Sequence, residues 1–568
     1  MLILSLHAGP HDSSAALFED YRVLAAVAEE RMNRIKASGG FPEQSIAEVL
    51  RIAGVERRDV DVLVCTRGYF LRRYFTYWRA HEKLRESVRR LTGHEKTREM
   101  NVVVSKLGRS AYDVFDAAAF LADLGLRPDV RMFFSNHHFS HALPSLFFTD
   151  WDEALLYTAD GSGDQVYYSH NLLRDGVLTN LYGDDRWLGR ARPSGSLGLA
   201  YGYVTEALGF RMNRHEGKLT GLAAYGEPTL LAEMQRYFAV THDGRVEMGF
   251  TDDLAMRSRF HELAQSETRE NAAASVQALL EWGIREALAR LLEAHPVRRV
   301  GLAGGVFANV RLNRVIAESL PLDEVFIVPP MGDDGLVIGG ALQFLLERDG
   351  LHHWLAQRFR LGNVYWGGDH AETTTLFGAD AGVARHEGDP AALTAQWLAE
   401  GRIGALYHGR MEYGPRALGA RSILASPADA GVNQSLNVRL QRSEFMPFAP
   451  VVLEADAAEV FDIGAGNRYA ARFMTICCAV RPEWRKRIPA VVHIDGSARP
   501  QIISREDNPL YAGILAAFKE RTGLPVLVNT SFNVHEEPIV NRPDDCLRAL
   551  HEDRVDFVTT AEGVWTRA

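Results

Sequence analysis

The sequence predicts an α/β protein in which a duplicated unit is followed by a second α/β domain. Three apolar β-type runs open the chain, at Leu2 to Leu6, Ser13 to Phe18 and Val23 to Ala28, and short polar turns join them. The same strand, glycine turn and strand pattern returns after Asp152, which indicates a duplicated α/β unit. A glycine-rich stretch from Gly362 to Gly368 marks the start of a further segment in which helix and strand patterns alternate.

The length and composition are those of a multidomain globular protein. A chain of 568 residues is too long for one hydrophobic core, so we expect two or three domains. Its 46% hydrophobic and 24% charged residues are ordinary for a soluble globular protein. The 63 basic and 73 acidic side chains give a net charge of −10, which argues against broad binding to nucleic acids or membrane surfaces. We therefore predict no nucleic-acid partner and no membrane partner.

Cysteine spacing and the first residues predict a cytoplasmic protein. The four cysteines show no CxxC spacing, so we expect reduced thiols. The run Met1 to Leu6 lacks a basic region before it and is too short for a signal sequence or a membrane span.

Two segments of the first half have ambiguous patterns. The turn from His7 to Ser14 contains a glycine and small hydroxyl residues, so its backbone amides could face a phosphate or carbonyl oxygen, although such a hairpin turn more often only reverses the chain. Basic and aromatic residues alternate from Leu71 to Leu91. That pattern favours a solvated amphipathic helix, with a lid or a partner surface as the alternative.

Two histidines and two aspartates form a candidate metal site. After the apolar run Val130 to Phe134 a helix is predicted, which places His137 and His141 one turn apart on one face. Asp160 and Asp333 each follow an apolar strand and lie in a glycine turn. Two imidazoles and two carboxylates suit iron, zinc or manganese. The alternative is a pair of partly exposed histidines with ordinary Asp-Gly turns, but two acidic turns at strand ends, where open α/β sheets bind ligands, favour the metal.

Glycine turns in both halves of the duplicated unit indicate a nucleotide site. Actin-like ATPase folds have this duplication, and they hold a nucleotide in the cleft between the halves. Glycines allow close approach of a ligand to the backbone, and a helix N-terminus favours anions. The candidate residues are Gly161, Gly163, Gly304, Gly305 and Asn309. Lys218 lies in a charged cluster that runs into a small-residue helix, which fits a lysine aimed into a cleft.

Arginines in the glycine and proline turns after Gly362 indicate an anion site. Guanidinium groups at such positions suit bidentate capture of phosphate or carboxylate. Scattered arginines are usually surface charge, but these loop positions favour a functional role. Hydroxyl and amide side chains follow the apolar strand Val526 to Val528. The candidate residues are Arg416, Arg421, Arg439, Arg442, Arg499, Ser531 and Asn533.

Nine motifs together are specific enough to identify a family. They are HDSSA from His11, HHFSHA from His137, DGSGD from Asp160, EGKLTGLAAYG from Glu216, AGGVFAN from Ala303, GDDG from Gly332, EYGPRALGARS from Glu412, DGSARPQ from Asp495 and NTSFN from Asn529. With these motifs the chain resembles, over essentially its whole length, the two-domain carbamoyltransferases of antibiotic and nodulation-factor biosynthesis.

This resemblance implies two domains and a two-step reaction. Residues 1–358 resemble the duplicated actin-like (ASKHA) metal-binding domain of the universal tRNA threonylcarbamoyltransferase, and residues 359–568 resemble the YrdC-like α/β fold. Carbamoyl phosphate and ATP, with Mg²⁺, would form carbamoyl adenylate in the second domain. The first domain would pass the carbamoyl group to a hydroxyl of a small natural product, with adenylate as the leaving group. Transfer to an amine is the alternative.

The resemblance also implies roles for residues. His137, His141, Asp160 and Asp333 would hold iron(II) or another divalent metal. His11, Asp12 and Lys218 would be catalytic, with His11 near the transferred carbonyl group and suited to act as the base. Arg416, Arg421 and Arg499 would neutralise phosphoryl charge. Ser531 and Asn533 would form the SxN element of the nucleotide site.

One position pair departs from the family pattern. Many relatives have a lysine and an arginine framing the segment that ends in PFAP, whereas this chain has Leu440 and Met446 there. Arg439 and Arg442 are the neighbouring cations that could compensate.

Two other classes of function remain open. A metalloprotease could be built on HxxxH, but the zincin pattern HExxH requires a glutamate that this stretch lacks. A nucleotide-switch protein of the actin-like class would not need the arginine-rich second domain. The acceptor and the oligomeric state are not readable from the sequence, and a homodimer stays open.

Overall fold

The chain divides into two compact units. The structure, a computed structural model, describes residues 1–76, 95–187, 195–442 and 447–568. The first unit comprises Met1–Arg192, Ala303–Gly305 and Pro330–Arg360, and the second comprises Pro193–Leu302, Val306–Pro329 and Leu361–Ala568. The predicted boundary after residue 358 lies near the end of the first unit, but much of the predicted first domain belongs to the second unit. Met446 and most of the predicted amphipathic helix at Leu71 to Leu91 lie outside the described residues.

The first unit contains two sets of strands and their covering helices. Its strands are β1 (Leu2–His7), β2 (Ser14–Glu19), β3 (Arg22–Ala28), β4 (Val62–Thr66), β5 (Tyr69–Leu71), β6 (Thr97–Glu99), β7 (Arg131–Ser135), β8 (Ala154–Gly163), β9 (Val166–Arg174) and β10 (Val177–Tyr182). Its α-helices are Glu29–Asn33, Glu43–Ala53, Met100–Leu107, Ala111–Val114, Ala117–Asp123, His137–Phe147, Leu336–Asp349 and Leu351–Leu355.

The first sheet places three strand ends at one edge. Its strand order is β3-β2-β1-β4-β7, with an antiparallel meander from β1 to β3 and parallel pairing of β1, β4 and β7. The carboxyl ends of parallel strands meet at the same edge, where α/β sheets bind ligands. His7, Thr66 and the helix His137–Phe147 therefore belong to one edge. The helix Leu336–Asp349 packs against β1, β4 and the helix His137–Phe147.

The same strand pattern returns later in the chain. β8, β9 and β10 form a second antiparallel meander in the first unit, and the parallel strands β13 and β14 follow in the second unit. The duplicated actin-like α/β pattern is therefore confirmed. β8 continues to Gly163 instead of ending before the glycine turn as predicted, because its pairing with β9 resumes after a register shift between Ala159 and Gly163.

The second unit contains helices from the middle of the chain and a large mixed sheet. Its strands are β11 (Phe238–Val240), β12 (Val246–Met248), β13 (Arg299–Ala303), β14 (Glu324–Ile327), β15 (Val383–His386), β16 (Gly404–Tyr407), β17 (Arg421–Ala425), β18 (Ala449–Leu453), β19 (Cys478–Ala479), β20 (Ser497–Ala498), β21 (Gln501–Ile503), β22 (Val526–Ser531), β23 (Phe557–Thr560) and β24 (Gly563–Arg567). Its α-helices are Leu197–Ala207, Glu216–Leu222, Leu231–Gln235, Asp253–Gln265, Arg269–Ala294, Val310–Ser319, Thr373–Ala379, Pro390–Ala399, Gly431–Arg439, Glu454–Val460, Ala465–Ala471, Pro482–Arg485, Pro509–Thr522 and Pro543–His551.

The part of the chain that follows Gly362 forms the mixed sheet. Its strand order is β15-β24-β23-β16-β17-β22-β18-β21, and the helices Pro390–Ala399 and Pro509–Thr522 pack on each other beside it. The second α/β layer that the sequence predicts is therefore present, and β22 ends at Ser531, inside the NTSFN motif.

Two predictions about the environment of the chain can be compared with the structure. All four cysteines are buried free thiols, as their spacing predicts. Within the described ranges, every helix is too short or too polar to cross a membrane.

Candidate functional site

The four predicted metal ligands come together in the first unit. Their ligand atoms all lie within 4.8 Å of one another. The helix that carries His137 and His141 begins where the sequence predicts, because the Asn136 side chain accepts a hydrogen bond from the Phe139 backbone N–H at 2.8 Å. Asp160 lies in the irregular part of β8, and Asp333 lies in a 3₁₀ turn just before the helix Leu336–Asp349.

Both imidazoles face both carboxylates. His141 Nε2 lies 3.0 Å from Asp160 Oδ2 and 3.4 Å from Asp333 Oδ1. His137 Nε2 lies 3.4 Å from Asp160 Oδ2 and 3.6 Å from Asp333 Oδ1. These two nitrogen and two oxygen donors converge on one point, which is the donor set that first-row divalent metals accept.

The charges of this cluster show that it fits a cation. Burial raises the pKa of Asp160, but hydrogen bonds with His137 and His141 outweigh burial and hold that pKa well below its usual range. Burial likewise lowers the pKa of His141, but its hydrogen bonds with Asp160 and Asp333 outweigh burial and raise the pKa to about 9. A proton on His141 therefore supplies positive charge between two carboxylates. A divalent ion would supply positive charge at the same place after that proton is released.

Two predicted nucleotide-binding glycines shape the Asp160 turn. The Gly161 backbone N–H donates a hydrogen bond to Asp160 Oδ1 at 2.6 Å. A Cβ atom at Gly163 would overlap the His137 ring. Gly163 is thus required so that β8 can approach the histidine closely.

The glycine pair after β13 also lies against this cluster. Gly304 has a φ of +100° and faces the Ala159 carbonyl, so no L-residue fits there without strain. A Cβ atom at Gly305 would lie 3.2 Å from Asp160 Oδ1. Of the glycines predicted to contact a nucleotide, Gly161 and Gly305 therefore lie against the Asp160 carboxylate, and Gly163 lies against the His137 ring.

His7 is a fifth polar group at the centre, and the sequence did not identify it. It ends β1, and its Nε2 lies 3.8 Å from Asp333 Oδ2 while its Nδ1 pairs with Thr66 Oγ1 at 2.9 Å. Burial lowers the pKa of His7 to about 4, so the ring is neutral at physiological pH. Its position at the ligand-binding edge of the parallel strands is the signal that could have found it.

His11 and Asp12 form a hydrogen-bonded pair. His11 Nδ1 lies 2.9 Å from Asp12 Oδ2. This hydrogen bond outweighs burial and raises the pKa of His11 to about 9. The ring is therefore protonated at neutral pH, which favours a proton-donating role over the base predicted from the sequence.

A polar network holds the start of the histidine helix. Buried Asp164 accepts a hydrogen bond from the His137 backbone N–H at 2.8 Å and one from Arg67 Nη1 at 3.1 Å. Arg67 also pairs with Asp185, to which Asn136 donates. These supporting residues were not predicted, because their sequence context resembles that of any loop.

Asn309 belongs to the second unit, and its side chain caps the helix that follows it. Its Oδ1 accepts from the Leu312 backbone N–H at 3.0 Å, which caps the helix Val310–Ser319. Its Nδ2 donates to Gln277 Oε1 at 2.8 Å.

Residues from several of the sequence motifs line one cavity in the second unit. It has a volume of about 490 Å³. Its lining comes from EGKLTGLAAYG, from the helix after AGGVFAN and from the loop of DGSARPQ, and includes Thr220, Arg311, Arg314, Cys477, His493 and Asp495. Burial raises the pKa of Cys477 to about 12, and the charges of Arg499, Arg314 and Arg416 oppose this rise. These guanidinium groups therefore lie near the Cys477 wall.

Arg442 and the SxN element form a connected group. Arg442 donates to Asn533 Oδ1 at 2.6 Å, to Ser531 Oγ at 3.0 Å and to Thr530 Oγ1 at 2.7 Å. Ser531 in turn donates to Asn533 Oδ1 at 2.5 Å. The structure thus brings together Arg442, Ser531 and Asn533, as the sequence predicts.

Two predicted anion ligands instead hold the protein together. Arg421 is fully buried, stacks on the Tyr407 ring at 4.0 Å and donates to backbone carbonyl groups of its own turn. Arg439 pairs with Asp556 at 2.7 Å. Leu440 is buried, so it packs as an apolar side chain at the position where the family resemblance led us to expect a cation.

The family follows from comparison with known proteins. A family model described as Carbamoyltransferase N-terminus matches residues 3–342, and one described as Carbamoyltransferase C-terminus matches residues 395–567. The chain belongs to the carbamoyltransferase family. It is therefore an enzyme of the carbamoyltransferase class, and the resemblance found in the sequence is confirmed.

Curated relatives cover nearly the whole carbamoyltransferase chain. Nodulation protein NolNO of Sinorhizobium fredii is 32% identical over 551 residues, which is 94% of this chain and 76% of the relative. Nodulation protein NolO of Bradyrhizobium diazoefficiens is 34% identical over 425 residues, which is 72% of this chain and 75% of the relative. Among solved structures, T. kodakarensis HypF matches 62% of this chain and 48% of its own with 13% identity and a TM-score of 0.35. A score this low carries no argument.

Proposed function

We propose that this carbamoyltransferase forms carbamoyl adenylate from carbamoyl phosphate and ATP in residues 359–568, and transfers the carbamoyl group to a small-molecule hydroxyl in residues 1–358. The observation that carries the proposal is the convergence of His137, His141, Asp160 and Asp333 in the same unit as the protonated His11. That arrangement combines a divalent-metal donor set with a proton donor, which are the two devices that acyl-type transfer uses to stabilise negative charge on oxygen.

The activation step is assigned to the arginines and the SxN element. Carbamoyl phosphate and Mg²⁺-ATP are polyanions, so guanidinium groups lower the cost of bringing them together. Arg416, Arg499 and Arg442 are the strongest candidates for this role, because Arg442 contacts the SxN element and the charges of Arg416 and Arg499 act on Cys477. Ser531 and Asn533 would contact the nucleotide.

The transfer step is assigned to the first unit. His137, His141, Asp160 and Asp333 would hold a divalent metal, for which the family resemblance favours iron(II). The bound metal supplies Lewis-acid polarisation of a substrate oxygen. His11, held by Asp12, donates its proton toward the carbonyl oxygen as charge develops there. The acceptor oxygen forms the new bond to the carbonyl carbon, and its hydroxyl proton passes to the phosphate of the leaving AMP as the bond between that carbon and the phosphate oxygen breaks. The proton that His11 gave to the carbonyl oxygen returns to His11 when the carbonyl group re-forms.

We propose the class of acceptor from the family, without naming the individual acceptor molecule. A hydroxyl of a natural product is the proposed acceptor, as in antibiotic biosynthesis, and an amine acceptor is the alternative outcome of the test below. We also propose a cytoplasmic location, because all four thiols are reduced. A homodimer stays a prediction.

Product analysis with the two donor substrates tests the proposal. The full chain, loaded with iron(II) or another divalent metal, is incubated with Mg²⁺-ATP, carbamoyl phosphate and a panel of hydroxyl and amine acceptors, and mass spectrometry follows AMP and carbamoylated products. We expect AMP and pyrophosphate to form only when carbamoyl phosphate is present. Carbamoylation without any ATP consumption would contradict the adenylate route.

A further inference from the structure

A second histidine and carboxylate cluster lies within the second unit, and we call it the Glu536 cluster. His215 Nε2 donates to Glu536 Oε1 at 2.8 Å, and His535 Nε2 lies 3.6 Å from the same oxygen. Arg214 Nη1 and Arg211 Nη1 lie 3.3 Å and 3.5 Å from Glu536 Oε2. The remaining member is Lys218, whose Nζ lies 3.3 Å from His535 Nε2.

Positive charge exceeds negative charge in this cluster. Two guanidinium groups face the one carboxylate, the Lys218 ammonium group lies against His535, and the two imidazoles add further hydrogen-bonding groups. The neighbouring Glu216 turns its carboxylate toward the Asn213 backbone N–H at 2.6 Å, and the neighbouring Glu537 pairs with Arg548 at 3.4 Å. Glu537 therefore makes its ion pair outside the cluster, whereas Glu216 interacts electrostatically with His215 and offsets part of the positive charge.

The surplus charge argues against a metal ion. Ligand atoms of His215, His535 and Glu536 are close enough together to hold one, but the two guanidinium groups and the ammonium group would repel it. In addition, His215 Nδ1 accepts a hydrogen bond from the Arg211 backbone N–H at 3.1 Å. The ring proton therefore resides on Nε2, which faces Glu536, so this nitrogen is a donor and not a metal ligand.

Glu536 occupies the centre of the cluster in a strained conformation. Its φ of +63° lies in the left-handed region that favours glycine. Its side chain is 32% exposed, so a ligand can reach the carboxylate from solvent. An oxyanion with more oxygens than a carboxylate would use the same guanidinium and imidazole donors more fully.

The turn that carries Glu536 is bonded to the candidate nucleotide site. Asn533 Nδ2 donates to the carbonyl groups of Val534 at 3.0 Å and Glu537 at 2.7 Å, which closes the turn. The same side chain accepts from Arg442 through Oδ1. The His535 backbone N–H donates to the Leu440 carbonyl at 2.9 Å, so the cluster adjoins the segment in which a cation is replaced by leucine.

We propose that Arg211, Arg214, His215, Lys218 and His535 bind a phosphoryl oxyanion, and that Glu536 occupies this site until the ligand displaces its carboxylate. The ligand class rests on the proposed function, because the two donor substrates and their products carry phosphoryl groups. The oxyanion belongs to carbamoyl phosphate, to the ATP polyphosphate or to a released phosphate or pyrophosphate.

Calorimetric titration of the full chain tests the site without requiring turnover. The probes are inorganic phosphate, pyrophosphate, carbamoyl phosphate and a non-hydrolysable ATP analogue, and the tightest of them identifies the source of the oxyanion. Arg211→Ala should weaken binding of that probe about tenfold, because one charge-assisted hydrogen bond is lost. Glu536→Gln should tighten binding about tenfold, because the competing carboxylate is removed. Arg211 is 64% exposed, so its truncation leaves the fold intact.

Two controls make the result decisive. Glu537→Gln removes the adjacent carboxylate, which pairs with Arg548 instead of the cluster, and should leave every affinity within twofold. If Arg211→Ala and Glu536→Gln also stay within twofold, or if Glu537→Gln tightens binding as much as Glu536→Gln, the site is overturned. Binding of Zn²⁺ that His215→Ala abolishes would overturn it in favour of a metal. Phosphate binding with the expected variant pattern but without adenylate formation would leave the site standing and remove the proposed function.

Discussion

The candidate metal centre and the Glu536 cluster use the same side-chain types for opposite purposes. Both place two histidines around carboxylate oxygens. In the candidate metal centre the buried Asp333 and the partly exposed Asp160 face the rings, and a proton on His141 supplies the positive charge. In the Glu536 cluster one partly exposed glutamate faces two arginines, and a lysine lies against one of the histidines. The identity of the surrounding charges, and not the histidine and carboxylate pattern itself, therefore decides whether such a cluster attracts a cation or an anion.

Removal of His137 and His141 should have the largest effect on activity. If it did not, the contrast between a cation-binding cluster and an anion-binding cluster would be wrong. We expect His137→Ala combined with His141→Ala to lose the bound metal and to lower carbamoyl transfer by more than about 100-fold, since loss of an outer-sphere partner alone costs 10- to 100-fold. Metal content by mass spectrometry and product formation are the measurements. His352→Ala, at an exposed position, is the matched control. Unchanged metal content in the double variant would show that the site is misplaced.

Separate assay of the half-reactions tests whether the two regions do different chemistry. Asp160→Asn should lower transfer from supplied carbamoyl adenylate by about 100- to 1000-fold and leave adenylate formation intact, because loss of one transition-state contact costs that much. Ser531→Ala should show the reverse pattern. Equal losses in both assays for both folded variants would end the division of labour between the regions.

Some features of the fold and of the candidate site could be predicted from the sequence, and others could not. The duplicated strand pattern and the residues of the candidate metal cluster could be predicted, because helix spacing and strand ends are local signals. His7 was missed because its contact with Asp333 depends on the pairing of distant strands. Arg421 was given an anion-binding role because its turn resembles an anion loop, whereas burial directs it to backbone carbonyl groups. Burial of a guanidinium group cannot be read from its immediate neighbours.

The support of the histidine helix should give an intermediate effect. Asp164→Asn removes the carboxylate that holds the His137 backbone N–H and Arg67, so we expect metal affinity to fall about 10- to 100-fold. Asp175→Asn is a conformationally matched control, because Asp164 and Asp175 both have positive φ values, 46° and 52°. Metal titration distinguishes the variants. Similar losses in both would attribute the effect to the backbone conformation.

The proton on His141 should make metal binding depend on pH. Its pKa of about 9 means that the metal-free ring is protonated at neutral pH, so binding must release a proton. Affinity should therefore rise about tenfold from pH 7 to pH 8 and level off above pH 9. Titration in buffers of different ionisation enthalpy counts the released protons. A pH-independent affinity would show that the proton is absent before the metal binds.

The first unit is discontinuous in sequence, and this has a consequence for synthesis of the chain. Its last segment, Pro330–Arg360, contributes Asp333 and the helix Leu336–Asp349, which packs on β1 and β4. While a ribosome is making residues 193–302, the earlier strands have left the exit tunnel without the helix that covers them. The nascent first sheet must therefore wait for more than a hundred further residues before its core and its fourth metal ligand are complete. The candidate metal site can thus be completed only near the end of translation of this unit, and the long interval exposes apolar strand faces that chaperones recognise.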